Sequence, residues 1–287
     1  MATCERRYVD VEGIQTHYLE AGEGPATLLL IHGGGVSSCA ELNYGSVMEL
    51  LAQHLRVVAL DVVGFGRTRG GGPMHYTARA QGDFVLAFME KLNLQGHVGG
   101  NSHGGWLAQY VAHERPQAVK RLIIINSLNG TQPIPPAPEG NQYIYSPVGH
   151  AHHDPTRERI HAELCAFYVN QKLVTEARVA RTLEIARSNH AYAKKRARAT
   201  SSTVEEANEN LSYRGRSMDQ WAPQLSVPVL MTWSRENRGS HPSHALAFYE
   251  RLVDGEMHIF SGAGHHVMTE HPRRWTQVVW DFLCSER

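Results

Sequence analysis

The sequence predicts an α/β protein: a mostly parallel, doubly wound sheet split by a helical insertion. Three observations predict it. Short apolar runs recur along the chain, helix-like stretches fall between them, and one run ends in the glycine-flanked serine of Gly100-Asn101-Ser102-His103-Gly104. Continuous apolar strands suit a sheet buried on both faces. Their alternation with helices implies parallel connections.

The elements follow in chain order. Tyr8-Val9-Asp10-Val11 and Thr16-His17-Tyr18-Leu19 flank Glu12-Gly13, the pattern of a hairpin. Ala26 to Ile31 is a short apolar run, broken by three glycines. The same grammar returns at Arg56 to Leu60, His97 to Gly99, Arg121 to Ile125 and Pro228 to Trp233. Phe84 to Leu92 and Trp106 to His113 read as helices between them. The alternation stops near Gly130. Thr131 to Pro155 is rich in Pro, Gly and His and reads as a linker, and Arg157 to Met218 reads as helices with no strand candidate. Residues 1–130 and 219–287 therefore form the expected core, with 131–218 as a helical lid inserted in it.

Composition narrows the function classes. A chain of 287 residues can bury one large core with an inserted subdomain. Its 42% hydrophobic and 20% charged residues describe a soluble globular chain, not a disordered one. Lys+Arg and Asp+Glu balance at 28 each, so no nucleic-acid partner and no anionic membrane is expected. No apolar run approaches the roughly 20 residues of a membrane span. The first ten residues carry charges and no apolar leader. Cys4, Cys39, Cys165 and Cys284 lie far apart, which suits reduced thiols and a cytoplasmic setting.

Gly100-Asn101-Ser102-His103-Gly104 fits the G-x-S-x-G pattern, with an apolar strand before it and a helix after it. In so tight a strand-to-helix turn, small neighbours let the backbone bend and lift the Ser102 hydroxyl above the sheet. The arrangement resembles the nucleophile elbow of the α/β-hydrolase fold, and Ser102 is the expected nucleophile. A serine needs a base, and Gly262-Ala263-Gly264-His265-His266 offers two candidates on a glycine turn after a strand. His265 follows Gly264 directly and is preferred; His266 is its competitor. The glycines of His32-Gly33-Gly34-Gly35 leave backbone N–H groups open to a developing oxyanion. Gly34 and His103 are the expected donors, the latter because it follows the nucleophile.

The chain resembles the meta-cleavage-product hydrolases, which cut a carbon–carbon bond in the vinylogous diketones of aromatic ring fission. Both halves of the core carry the resemblance. His32-Gly33-Gly34-Gly35 leading to Asn43-Tyr44 is similar to that family's oxyanion loop and substrate-contacting Asn. Asp61 to Thr68 resembles its D-x-V-G-F-G-x-T strand end, and Gly100-Asn101-Ser102 its G-N-S elbow. Thr232 to Arg238 is close to its x-W-G-R-x-D-R strand end, and Gly264-His265 to its base segment. The resemblance implies substrate contacts at Gly33, Asn43 and Asn101; His266, where the family often has Trp, is a further substrate-binding candidate. It also implies a lid Arg for the substrate's carboxylate end; Arg181 is the candidate, although the register puts Thr182 at that place. A small-molecule substrate is implied, with no cofactor and no metal. Members of the family often self-associate, so a homo-oligomer is open to the chain. His150-Ala151-His152-His153-Asp154 suggests a metal site but lacks companion ligands at suitable spacing, and reads as a polar lid loop.

One departure limits the analogy. The family's acid stands where this chain has Asn237. In serine proteases the matching Asp-to-Asn change lowers turnover about ten-thousand-fold, a loss of about 5–6 kcal/mol. Four explanations are open. Glu236 turns inward as the acid; Asn237 orients the imidazole as a neutral partner; the enzyme has exchanged hydrolysis for chemistry with a weaker base; or the Asn is a deliberate inactivating substitution. Two flanking departures, His103 and His266, make the expected pocket polar and rich in His. The lead expectation is a carbon–carbon hydrolase using Ser102 and His265. The alternative is a non-hydrolytic enzyme of the same fold, a lyase, ring-opening enzyme or cofactor-free oxygenase with His265 as base. A small-molecule receptor is a third class, disfavoured by the intact serine, histidine and glycine loop.

Overall fold

The seven strand runs, with an eighth at Gly255–Phe260, become one eight-stranded sheet in the computed structural model, which describes residues 3–127, 154–200, 224–238 and 241–285. The strands are β1 (Glu5–Val11), β2 (Ile14–Ala21), β3 (Thr27–Ile31), β4 (Arg56–Leu60), β5 (Gly96–Asn101), β6 (Val119–Ile125), β7 (Val229–Ser234) and β8 (Gly255–Phe260). Their order is β1-β2-β4-β3-β5-β6-β7-β8. β1 and β2 form the expected hairpin and β2 runs antiparallel to β4; every other pairing is parallel.

The unbroken apolar character of β3 has a plain cause. Leu29 and Ile31 pack into one buried cluster and Leu28 and Leu30 into another, on opposite faces of the sheet. Helices α3 (Ala78–Lys91) and α4 (His103–Glu114) cover the first face with Phe84, Phe88 and Leu107. Helices α1 (Ala40–Tyr44), α2 (Met48–Leu51) and α9 (Pro272–Cys284) cover the second with Tyr44, Met48, Trp275 and Phe282. Trp275 also donates its indole N–H to Thr232 Oγ1 at 3.1 Å, which fixes α9 against β7. The Asp61 to Thr68 segment is structural: the Asp61 carboxylate takes hydrogen bonds from Ala40 N–H, Arg67 N–H and the His17 ring.

The strand order reverses at β3, which has β4 on one side and β5 on the other. Ligand clefts of open α/β sheets form at the carboxyl ends of strands beside such a reversal. The loops after β3, β5, β6, β7 and β8 all leave from that edge.

Between β6 and β7 the described chain is helical, with α5 (Arg157–Phe167) and α6 (Glu176–Thr200). The Thr156 hydroxyl caps α5 by accepting from Arg159 N–H. The two helices share an apolar seam of Ile160, Leu164, Tyr168, Val179 and Ala186, closed by Val36 from the loop after β3. Asn189 on α6 donates to Val36 O and Ser38 O at 2.9 and 3.3 Å. The remaining described helices are α7 (Pro242–Tyr249) and α8 (Val267–Glu270). Most of the expected linker, the histidines of residues 150–153 and the expected helical stretch at 201–218 lie outside the described residues.

Candidate active site

Ser102 stands between the last residue of β5 and the first of α4, with φ +53° and ψ −121°. Non-glycine residues rarely occupy this region, and holding one there costs about 1–3 kcal/mol. The surroundings enforce it. Ser102 N–H donates to Ile125 O at 3.0 Å, and Ser102 O accepts from Gly105 N–H, Trp106 N–H and the Ser127 hydroxyl. The flanking glycines are sterically required. A Cβ on Gly100 would stand 2.1 Å from Gly104 O, and one on Gly104 only 2.0 Å from Ile31 O.

The glycine loop after β3 lies against this turn. A Cβ built on Gly33 would lie 3.5 Å from both Ser102 Cβ and Asn101 Oδ1, whereas one on Gly34 would lie 3.0 Å from His103 Cβ. His32 fixes the loop: its Nε2 accepts from Val62 N–H at 3.0 Å, so Nδ1–H donates to Gly33 O at 2.7 Å. The His103 ring is 2.6 Å from Gln81 Oε1 and stacks on Trp106. Gly33, Gly34 and the His103 backbone are thus brought together around Ser102.

His265 meets Asn237. Its Nδ1 lies 3.1 Å from Asn237 Oδ1, which as an amide oxygen accepts the imidazole N–H and leaves Nε2 as the basic nitrogen. Asn237 supplies no charge, so burial alone acts on the ring and pushes its pKa down to about 4. Among the described residues no hydrogen bond joins Ser102 to His265; in unliganded sites such bonds are often long and tighten on substrate binding. His266, the competing base, packs against Phe167, Tyr168 and His265. Its Nδ1 is buried without a hydrogen-bond partner among the described residues, and desolvation takes it down to about 3.

Three expectations need correction on placement. Glu236 does not turn toward His265: it is exposed, and its carboxylate accepts from Gly262 N–H at 2.9 Å and Ala263 N–H at 3.4 Å. It caps the glycine turn that carries His265. Arg181 does not face the cleft either. It forms a two-pronged pair with Glu41 at 3.0 and 2.7 Å and a third contact with Glu184, and it holds the Glu41 carboxyl below its usual range. Helical phase decides this, because Val179, Thr182 and Ala186 hold the inner face of α6. Asn101, expected to touch substrate, is fully buried with its amide spent on Ile125 O at 3.1 Å and His265 O at 3.3 Å. Its carbonyl accepts from Asn43 Nδ2 at 3.2 Å, so Asn43 and Asn101 brace one another beside the elbow.

Sequence reasoning missed four residues that shape the site. Asn126, in a left-handed turn at φ +45°, donates to His265 O at 3.0 Å and binds both Ser234 N–H and its hydroxyl. It ties β6, β7 and the His265 loop together; an Asn directly after an apolar strand was the available signal. Phe167 closes α5, where its carbonyl accepts from His265 N–H at 2.8 Å and its ring stacks on the imidazole at 5.3 Å. Glu270 accepts from Gly264, Val169 and Asn170 N–H groups, joining the base loop to the segment after α5. Glu163, on α5, is buried beside Gly35 of the glycine loop; neither it nor Phe167 carried a signal in sequence.

An open parallel sheet with a strained serine elbow, a glycine loop and a histidine on the last turn defines an enzyme of hydrolase type. The model of the alpha/beta hydrolase fold matches residues 26–272. The chain belongs to the alpha/beta hydrolase fold family. It resembles the meta-cleavage-product hydrolases within it. It is 25% identical over 284 residues to a 2-hydroxy-6-oxononadienedioate/2-hydroxy-6-oxononatrienedioate hydrolase of Paraburkholderia xenovorans (strain LB400), covering 94% of this chain and 91% of the relative. It is 27% identical over 282 residues to a 2-hydroxy-6-oxo-6-(2'-aminophenyl)hexa-2,4-dienoic acid hydrolase of Metapseudomonas resinovorans, covering 96% and 90%. A solved bacterial membrane phospholipase A matches with a TM-score of 0.80 at 25% identity, covering 98% of this chain and 86% of that one. One fold thus serves more than one chemistry, and the site has to carry the assignment.

Proposed function

We propose that this protein is a serine-dependent hydrolase that cleaves a carbon–carbon bond of a ketone derived from an aromatic or polycyclic compound. The observation that carries this reading is Ser102 on its strained elbow, flanked by the glycine loop, with Nε2 of His265 freed as a base by Asn237. Similarity to two relatives named as hydrolases of 2-hydroxy-6-oxo dienoates supports it.

In this mechanism His265 takes a proton from Ser102, or from a water held by Ser102, and the oxygen attacks the ketone carbon. The N–H groups of Gly34 and His103 receive the oxyanion. Collapse of the tetrahedral species breaks the carbon–carbon bond, its electron pair leaves as a dienolate, and the proton on His265 returns to that carbon. If the attack is by Ser102 itself, a water then hydrolyses the acyl-serine by the same base. Residues 131–218 act as the lid and residues 1–130 and 219–287 as the core; the grip of α5 on His265 and Glu270 supports that division. A cytoplasmic setting fits the four free cysteines. Purified protein is expected to bleach a yellow dienol ring-fission product, with Ser102→Ala abolishing the reaction. Unchanged colour with the wild-type protein overturns the proposal.

Asn237 favours one second reading, a non-hydrolytic reaction that uses His265 alone as base. Activity that survives Ser102→Ala and disappears in His265→Ala identifies it.

A further inference from the structure

Helix α5 carries a carboxyl group that the mechanism above does not use. Glu163 is 4% exposed, yet the only hydrogen bond to its carboxyl among the described residues comes from the Ser37 hydroxyl, at 3.4 Å to Oε1. A buried carboxyl commonly satisfies several lone pairs, so one long hydrogen bond leaves most of its accepting capacity unused.

Its position gives that capacity a use. Glu163 and Phe167 are four residues apart and share one face of α5. Phe167 rests on the base, His265. Glu163 lies beside the glycine loop, with Oε1 3.6 Å from where a Cβ on Gly35 would stand. The same glycine loop reaches Ser102 at Gly33. The α5 face therefore spans from base to oxyanion loop, and the carboxyl is the polar group in that span. Among the described residues no cation neutralises it: Arg181 is committed to Glu41 and Glu184, and Arg178 donates to the Tyr168 hydroxyl at 3.1 Å. Burial pushes the Glu163 carboxyl up to about 7, with the Ser37 hydrogen bond as the opposing influence.

We infer that Glu163 is a specificity-determining residue, an acceptor in the roof of the cleft that selects a substrate presenting a hydroxyl or amine donor there and disfavours a carboxylate at that place. This rests on the proposed site for the identity of the cleft. It adds the chemical character of one end of the substrate.

The test uses two saturated ketones that differ in one polar end, 6-hydroxy-1-phenylhexan-1-one and 6-oxo-6-phenylhexanoate. Their binding to the wild-type protein, Glu163→Gln and Glu163→Leu is followed by calorimetry at pH 6 and pH 8, with melting curves confirming that each variant folds. At pH 8 the alcohol is expected to bind the wild-type protein about tenfold more tightly than the carboxylate, the worth of one good hydrogen bond and an avoided like-charge contact. Both variants shrink that ratio to within about threefold. The carboxylate also weakens from pH 6 to pH 8 in the wild-type protein and not in the variants, because only the wild-type roof gains a charge. Equal or reversed preference, a ratio that the variants leave unchanged, or no binding of either ketone overturns the inference. None of these readouts needs turnover. Failure to bleach a dienol while the alcohol preference holds therefore removes the proposed reaction and leaves Glu163 its role.

Discussion

Asn237 is where one atom sets the charge beside His265. Its amide oxygen orients His265 at 3.1 Å but adds no negative charge, while burial holds the imidazole near 4. A carboxylate in the same place would stabilise the imidazolium and raise that pKa. Asn237→Asp is therefore expected to increase kcat for a hydrolytic substrate by about 10²- to 10⁴-fold, and to move the acidic limb of the kcat/KM profile to higher pH. A pH–rate profile measures both; no gain would mean that the reaction does not draw on a charged partner. Glu236 makes the contrasting case. Its carboxylate serves Gly262 and Ala263, so Glu236→Gln should change kcat less than about threefold.

Among the elements, the turn after β8 depends on a neighbour far away in sequence. Glu270 receives N–H groups from Gly264 on the base loop and from Val169 and Asn170 after α5. Glu270→Gln keeps the shape but loses the charge, and its amide NH₂ turns toward donors. About 1.5–3 kcal/mol is expected to be lost. The loss should be local: hydrogen exchange at Val169 and Asn170 should accelerate while the β3 and β5 amides stay protected. Uniform acceleration across the sheet would show that α5 unfolds only with the core. The elbow is less forgiving. Gly104→Ala puts a methyl group into Ile31 O and should abolish activity together with the native melting transition.

Across the whole molecule, opposed titrations shape stability. His265 and His266 have depressed pKa values, so between about pH 6.5 and 4 the unfolded chain binds protons that the folded one refuses, and stability falls with acid. Glu163 works in the other direction. Its folded pKa is raised, from 4.5 to about 7, so its favourable contribution is complete below 4.5 and is lost as pH rises through 7. Glu163→Gln should remove that loss. Its melting temperature should exceed that of the wild-type protein at pH 8, by about 2–4 °C for each kcal/mol recovered, and match it near pH 4.5. Equal melting temperatures at both pH values would show that α5 opens before the core without changing the global transition.

Local pattern alone placed seven of the eight strands, the elbow and the glycine loop, but not the strand order. Strand runs such as Leu28 to Ile31 announce burial on both faces, and a serine between Gly100 and Gly104 announces a turn that no Cβ could share. These are properties of neighbouring residues, so they survive in a linear reading. Tertiary structure decided what stands behind and above the serine. Asn237 and not Glu236 meets His265, 28 residues away; Arg181 turns to Glu41, 140 residues away; and Glu163 packs beside Ser37, 126 residues away. Each outcome depends on the phase of a helix or the direction of a turn, and a shift of one residue redirects a side chain by about 100° on a helix. Composition and spacing carry no record of that phase until a partner surface fixes it.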